Sequence, residues 1–155
     1  MTFETILARD GRLVYRTRGV SMEPMLRQNR DIVVIAAVSG RLKKYDVALY
    51  RRGSRYVLHR VIRVKEGGYI IRGDNTYTPE AVPDSAVIGV LTAFKRKGKD
   101  FEVTDPAYRR YVRFWHAIYP LRFVLFQCRK LAARIARKTG LLPWIKKALG
   151  RDSGQ

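Results

Sequence analysis

One serine and one histidine have the residue types and the settings needed for nucleophilic catalysis. Ser21 lies in "RGVSMEPML", where Gly19 and Pro24 are expected to shape a stiff turn around its hydroxyl group. A serine hydroxyl is a weak nucleophile at neutral pH and needs an adjacent base. His59, in "VLHRVI", can supply that base because the ordinary histidine pKa is about 6.5.

A third residue, Asp74 in "IRGDN", is expected near His59 because of strand parity. Two β-rich runs flank Gly67-Gly68, and a two-residue turn there predicts a hairpin in which Val61 faces Asp74. His59 and Asp74 then lie on the same side of the sheet as diagonal neighbours. His59 is predicted to accept the Ser21 proton, while Asp74 orients the imidazole and backbone N–H groups near Ser21 hold the oxyanion.

The same hairpin makes further predictions about its two faces. Arg63 would lie opposite Arg72, which costs some stability, and a bulge or a longer turn would change the register. The face away from His59 is expected to join the core through Leu58, Ile62, Val64, Tyr69 and Ile71. His116, the second histidine, lies in an aromatic segment and is interpreted as a packing residue. This chemistry requires no metal and no cofactor.

The elements that would hold these residues are predicted to be mainly β, with a helical C-terminal segment. Residues 1–106 contain short strand-like runs such as "DIVVIAAV" and "SAVIGVLTAF", separated by turn residues. Residues 107–155 show helical periodicity instead. Pro120 and Pro143 are expected to divide this segment, and Gly140 to end a helix. We therefore predict a β-rich domain over 1–106 and a basic amphipathic tail over 107–155.

Charge is concentrated in that tail. The formal net charge is +19, and from Arg109 onward twelve basic residues stand against one acid, Asp152. Such a surface indicates an anionic partner, either lipid headgroups or nucleic acid. The longest mostly apolar run contains His116 and Arg122 and is shorter than the roughly 20 residues of a membrane span. It is expected to lie on a membrane surface or to cap the β domain.

Two further features bear on the compartment. The first residues, "MTFETILARDGRLVYRTRG", are charged every few positions, so neither a signal peptide nor an N-terminal membrane span is expected. The single cysteine, Cys128, excludes a disulfide within the chain and fits a reducing compartment.

The ordered motifs resemble those of the signal peptidase I and LexA-type superfamily of serine proteases. The motifs are "GVSMEPML", "DIVVI", "YDVALYRR", "VLHRVI", "IRGDN" and "VIGVL", and they cover about residues 13–94. The base is a lysine in the bacterial and LexA-type members and a histidine in the endoplasmic-reticulum and archaeal type. The resemblance therefore implies a histidine-type peptidase with Ser21 as nucleophile, His59 as base and Asp74 as acidic partner.

The resemblance leaves the acidic partner open, because histidine-type members often carry a second acid after Gly-Asp-Asn. Glu80 and Asp84 are the candidates here. It also implies a mainly β fold and a substrate that binds extended, adding a strand, with small residues near the cleaved bond.

The expected function is a serine endopeptidase that cleaves a signal, leader or precursor peptide, peripherally attached to the cytoplasmic face of a membrane. The alternative is a nucleic-acid-binding regulator on a LexA-like β fold, which the charge favours. However, the residues before "RLVYRTRG" are too few for the helix-turn-helix of a LexA-type repressor.

Overall fold

The computed structural model describes residues 2–138, and these form a mainly β structure followed by two helices. The helices are α1 (Phe3–Asp10), α2 (Pro106–Ala117) and α3 (Tyr119–Lys138). The strands are β1 (Arg12–Arg16), β2 (Ile32–Ala37), β3 (Val47–Arg52), β4 (Arg55–Lys65), β5 (Gly68–Arg72), β6 (Glu80–Pro83), β7 (Val87–Arg96) and β8 (Lys99–Glu102). The predicted fold class, mainly β with a helical C-terminal segment, is confirmed at this level.

All eight strands described here belong to one antiparallel sheet. Its order is β1-β2-β7-β3-β4-β5-β6, and β8 pairs with β7 outside this path. One apolar cluster contains Met22, Met25 and Leu26, which follow Ser21 in the chain. A second cluster contains Tyr50 and Val61, beside the predicted base. The segments that carry the candidate site are thus each anchored in a hydrophobic core.

Helix α1 was not predicted, since the sequence indicated only strands and turns over 1–106. The Thr2 side chain accepts a hydrogen bond from the Thr5 backbone N–H, and Gly11 ends the helix in a left-handed conformation with φ 68°. Leu7 is buried against the sheet. A helix of 8 residues contains about two turns, which is too short to show a clear helical period.

The β4–β5 hairpin has a different register from the predicted one. Lys65 pairs with Gly68, so the two-residue turn is Glu66-Gly67, with Gly67 at φ 69°. A bulge between Val61 and Arg63 then shifts the pairing. The predicted Val61–Asp74 and Arg63–Arg72 pairs are therefore wrong: Val61 pairs with Ile71, Arg63 with Ile70, and Arg60 with Arg72.

The bulge also changes which residues of β4 enter the core. Val64 was predicted to be buried, but 38% of it is exposed, whereas Val61 is completely buried. Tyr69 and Ile71 are buried as predicted. The remaining predicted core residues, Leu58 and Ile62, are half-buried. The bulge explains the burial of Val61, because it brings Val61 opposite buried Ile71. Val64 pairs with buried Tyr69 but lies next to the end of the hairpin, where it stays partly exposed.

The C-terminal helices follow the predicted pattern as far as they are described. The break falls at Ile118, and Pro120 lies in the first turn of α3, where a missing N–H is tolerated. The predictions for Gly140 and Pro143 fall outside the described residues. The chain divides into two compact units, residues 1–115 and the residues from His116 onward. No helix within residues 2–138 is both long enough and apolar enough to cross a membrane.

Candidate active site

Ser21 lies on a short turn that is held by its own backbone and by buried side chains. The Glu23 N–H donates to the Val20 carbonyl oxygen at 3.1 Å, which closes the turn around Ser21. Met22, the residue directly after Ser21, is 5% exposed and is therefore anchored in the core. The serine itself is half-buried. The hydroxyl is therefore presented from a fixed backbone, as "GVSMEP" predicted.

Asn75 ties this turn to the "RGDN" segment. Its backbone N–H donates to the Ser21 carbonyl oxygen at 2.7 Å, and its side-chain amide donates to the Val20 carbonyl oxygen at 3.2 Å. Two segments more than fifty positions apart are thus joined directly at the serine. The asparagine of the motif acts here as a backbone clamp.

Gly73 marks the point where the serine and the histidine approach each other. A Cβ atom on Gly73 would lie 3.1 Å from Ser21 Cβ and 3.1 Å from His59 Nε2. It would also lie 2.6 Å from the Ser21 carbonyl oxygen, closer than side-chain atoms come to backbone. A glycine is required at this position for steric reasons, since any side chain would push the serine turn away from the strand that carries the histidine.

His59 is oriented from behind by a carboxylate and a phenol. Its Nδ1 atom lies 3.2 Å from Glu80 Oε1 and 3.2 Å from the Tyr50 hydroxyl. An ionised carboxylate only accepts hydrogen bonds, so Nδ1 carries the proton and Nε2 keeps its lone pair. Nε2 is also the nitrogen next to Gly73 and Ser21. This is the tautomer that a general base for Ser21 needs.

The protonation state of His59 is set mainly by burial. Only 8% of the residue is exposed, and burial lowers the pKa of His59 below its ordinary value. The hydrogen bond and the negative charge of Glu80 raise this pKa but do not outweigh the burial. The imidazole is therefore neutral at pH 7, as a base must be before it accepts a proton.

Glu80 begins β6 and is surrounded by donors. The Tyr50 hydroxyl donates to Oε1, and Arg52 Nη1 lies 3.3 Å from Oε2. Burial alone would raise the pKa of Glu80, but these two partners together with His59 lower it overall. Glu80 is consequently ionised at neutral pH. It can stabilise a positive charge on His59.

The carboxylate of Asp74, the residue predicted to orient His59, is bound to Arg60 in this structure. The ion pair is two-pronged, with Nε–Oδ1 at 2.7 Å and Nη2–Oδ2 at 2.6 Å. Both side chains are completely buried. The group that contacts His59 Nδ1 is Glu80, one of the two alternatives that the sequence left open. Asp84, the other alternative, lies on the surface 3.9 Å from Arg41.

Arg60 connects several parts of the site through its remaining donors. Its Nη1 atom donates to the Tyr45 carbonyl oxygen and to the Tyr108 hydroxyl, both at 3.0 Å, and Nη2 lies 3.0 Å from the Met25 sulfur. Burial would lower the pKa of Arg60, but the charge and hydrogen bonds of Asp74 raise it overall. A permanent cation thus holds the "GDN" segment on the strand that carries His59.

Two residues of the site were missed in the sequence. Arg60 follows His59 directly and is a charged residue inside an apolar strand, which is a signal for a buried ion pair. Tyr50 is two residues from Ala48, the β3 residue that pairs with His59. Its place became evident only from the β3–β4 register, because a diagonal neighbour on an adjacent strand carries no local motif.

We expect that replacing Arg60 by methionine will reduce the free energy of unfolding by about 3–5 kcal/mol, because the substitution leaves the Asp74 charge buried without its guanidinium. Urea unfolding of the two proteins measures this difference. The matched control is Arg63→Met, three positions along the same strand but exposed, which should change stability by less than about 0.5 kcal/mol. An Arg60→Met protein as stable as the wild type would show that the buried pair does not hold this region together.

Comparison with known proteins does not assign this chain to a family. No protein-family model matches the chain, and no curated protein matches it in sequence. Any functional conclusion therefore depends on the site itself. Its parts are a serine on a clamped turn, a buried neutral histidine, and a carboxylate on the far side of the imidazole.

Proposed function

We propose that the chain is a serine endopeptidase similar to signal peptidase I of the histidine type, with a signal peptidase/LexA-like β domain. The proposed substrate is an extended leader or precursor peptide, and the proposed location is the cytoplasmic face of a membrane. One observation carries this proposal: Ser21 Cβ and His59 Nε2 each lie 3.1 Å from the position that a Cβ atom of Gly73 would occupy, while Glu80 contacts the opposite nitrogen of the same ring. A nucleophile, a base and an orienting acid in this arrangement are the requirements for acyl transfer.

In the proposed mechanism, Ser21 Oγ attacks the carbonyl carbon of the scissile peptide bond. His59 Nε2 takes the hydroxyl proton as the new C–O bond forms. The tetrahedral intermediate collapses when the C–N bond breaks, and the departing amine receives that proton from His59. A water molecule then attacks the Ser21 ester, again losing a proton to His59. Ser21 recovers the proton, and the new carboxyl end of the peptide is released.

Glu80 supports both proton transfers without moving a proton itself. Its charge stabilises the imidazolium, and its hydrogen bond to Nδ1 keeps Nε2 directed to the serine. Backbone N–H groups of the Ser21 turn would stabilise the oxyanion. Arg60 and Asp74 act as positioning residues, since their ion pair holds the segment that approaches both catalytic side chains.

The direct test is incubation of the full chain with candidate leader peptides, followed by mass spectrometry of the products. The proposal expects two fragments that together account for the peptide plus one water. Fragments that are also formed at the same rate by the Ser21→Ala protein would overturn it. So would a complete lack of cleavage combined with DNA binding that weakens steeply with salt, the result expected of the regulator.

The pH dependence of cleavage should reflect the lowered pKa of His59. Only the neutral imidazole accepts the serine proton, so activity is lost as pH falls through the pKa of the folded enzyme. Because burial lowers that pKa, the acid limb of kcat/KM is expected to have its midpoint below about 6.5, the value of a free histidine. Measurement of kcat/KM from acid to neutral pH checks this. A midpoint above the ordinary histidine value would show that the charge of Glu80 outweighs burial.

A further inference from the structure

Helix α3 has one continuous apolar face that is exposed to solvent. At 100° per residue, eight consecutive positions of the helical wheel, a sector of about 140°, carry only apolar or thiol side chains. They are Leu121, Val124, Leu125, Cys128, Leu131, Ala132, Ile135 and Ala136. The five large side chains of this sector are each more than half exposed, from 53% at Ile135 to 61% at Leu121. We define these eight residues as the apolar face of α3.

The rest of α3 is strongly cationic. The sequence "YPLRFVLFQCRKLAARIARK" contains no aspartate and no glutamate. Its basic residues all lie outside the apolar face, and Arg129 lies next to one of its edges. The full set is Arg122, Arg129, Lys130, Arg134, Arg137 and Lys138. A side chain of this length can lie along apolar surface and still keep its charge in a polar layer.

An anionic lipid surface satisfies both faces together, whereas a nucleic acid or a second copy of α3 satisfies only one. A nucleic acid would neutralise the cations but leave the apolar face in water. A second copy of α3 would cover the apolar face, but it would bring the same positive charges to the edges. An anionic lipid surface accepts apolar side chains below its headgroups and attracts cations at the headgroup level.

We propose that α3 lies in the plane of an anionic membrane surface, with its apolar face inserted among the acyl chains and Arg129, beside that face, at the phosphate level. At 1.5 Å per residue, 20 residues give about 30 Å of helix along the surface. This inference identifies the membrane-binding element and the lipid charge that the proposed function requires. It rests on the proposed location but not on peptidase activity, so lipid binding and peptide cleavage can fail separately.

The experiment measures binding of the full chain to sedimented vesicles. One set contains phosphatidylcholine alone, and in the other about a third of the lipid is phosphatidylserine. Stronger binding to the anionic set is expected. Substitution of Leu125 and Leu131 by glutamine in one protein should reduce binding to anionic vesicles by more than tenfold, because each inserted leucine contributes well over the free energy of a single methylene group. Arg129→Gln, which removes a charge next to the edge of the apolar face, should reduce it by about fivefold, only on anionic vesicles.

The matched control for the leucines is Phe126→Gln, which removes a large apolar side chain of the same helix outside the apolar face. It should bind nearly as well as the wild type, and circular dichroism of each variant checks that the helix is retained. Wild-type binding by the leucine variant would overturn the proposal. Equal binding to both vesicle sets would also overturn it, as would a lipid-free dimer that the leucine substitutions dissociate, since a second copy would then cover this face.

Discussion

Replacing Ser21 by alanine is expected to reduce peptide turnover by about 10⁴ to 10⁶. The substitution removes only the oxygen that attacks the substrate. The turn itself should persist, because the hydrogen bonds that hold it involve the Ser21 and Val20 carbonyl oxygens. Substrate affinity should therefore change little, and kcat should carry almost the entire loss. Steady-state kinetics on one leader peptide measures the two effects.

The control for this substitution is Ser54→Ala, which makes the same change in the exposed β3–β4 turn. The Ser54→Ala protein should cleave the peptide at the wild-type rate. Urea unfolding should show equal stability for the two variants within about 0.5 kcal/mol. A Ser21→Ala protein that keeps most of its turnover would end the assignment of Ser21 as nucleophile, whatever the identity of the substrate.

The serine and the histidine could be predicted from the sequence because each is marked by its own neighbours. Gly19 and Pro24 indicate a shaped turn around Ser21, and His59 is the only histidine in the β-rich part of the chain. The structure places both side chains beside Gly73. Local motifs were sufficient to indicate these two residues, although their positions in the fold also depend on distant contacts such as that of Asn75 with the Ser21 turn.

The acidic partner could not be predicted in this way because it depends on a β-bulge and on a second strand. The prediction that Asp74 lies beside His59 assumed a hairpin without a bulge. The extra residue between Val61 and Arg63 changes the strand register, so that assumption does not hold. Glu80 reaches the site because β6 pairs with β5, with Glu80 opposite Ile71. The loop before β6 gives no sequence signal for this pairing, since loop length does not determine strand register.

Some features of the fold could likewise be predicted from local sequence, whereas others depend on contacts between distant residues. The mainly β character and the break before Pro120 follow from apolar runs and from proline chemistry, both of which are local. Helix α1 and the buried Arg60–Asp74 pair depend on what the chain packs against. An arginine inside a strand becomes stable there only when a distant carboxylate meets it, which the strand sequence alone does not contain.

The role of Glu80 gives the second large effect. Glu80→Gln keeps the size of the side chain but removes the charge that faces His59 Nδ1, so the imidazolium formed during attack loses its stabilisation. Turnover is expected to fall by about 10⁴, as when the orienting acid of a serine peptidase is replaced by its amide. The pKa of His59 should fall further, because the hydrogen bond and charge of Glu80 raise it. The acid limb of the residual kcat/KM profile should therefore move to lower pH.

The two other carboxylates considered for this role provide the controls. Asp84→Asn removes a surface charge near Arg41 and should leave both turnover and the pH profile unchanged. Asp74→Asn removes the partner of buried Arg60 and should lower the free energy of unfolding, whereas Glu80→Gln acts mainly on turnover. This contrast separates the acid that assists the base from the acid that holds the segment. If the Glu80→Gln enzyme had unchanged turnover and an unchanged pH profile, Glu80 would not be the residue that orients His59.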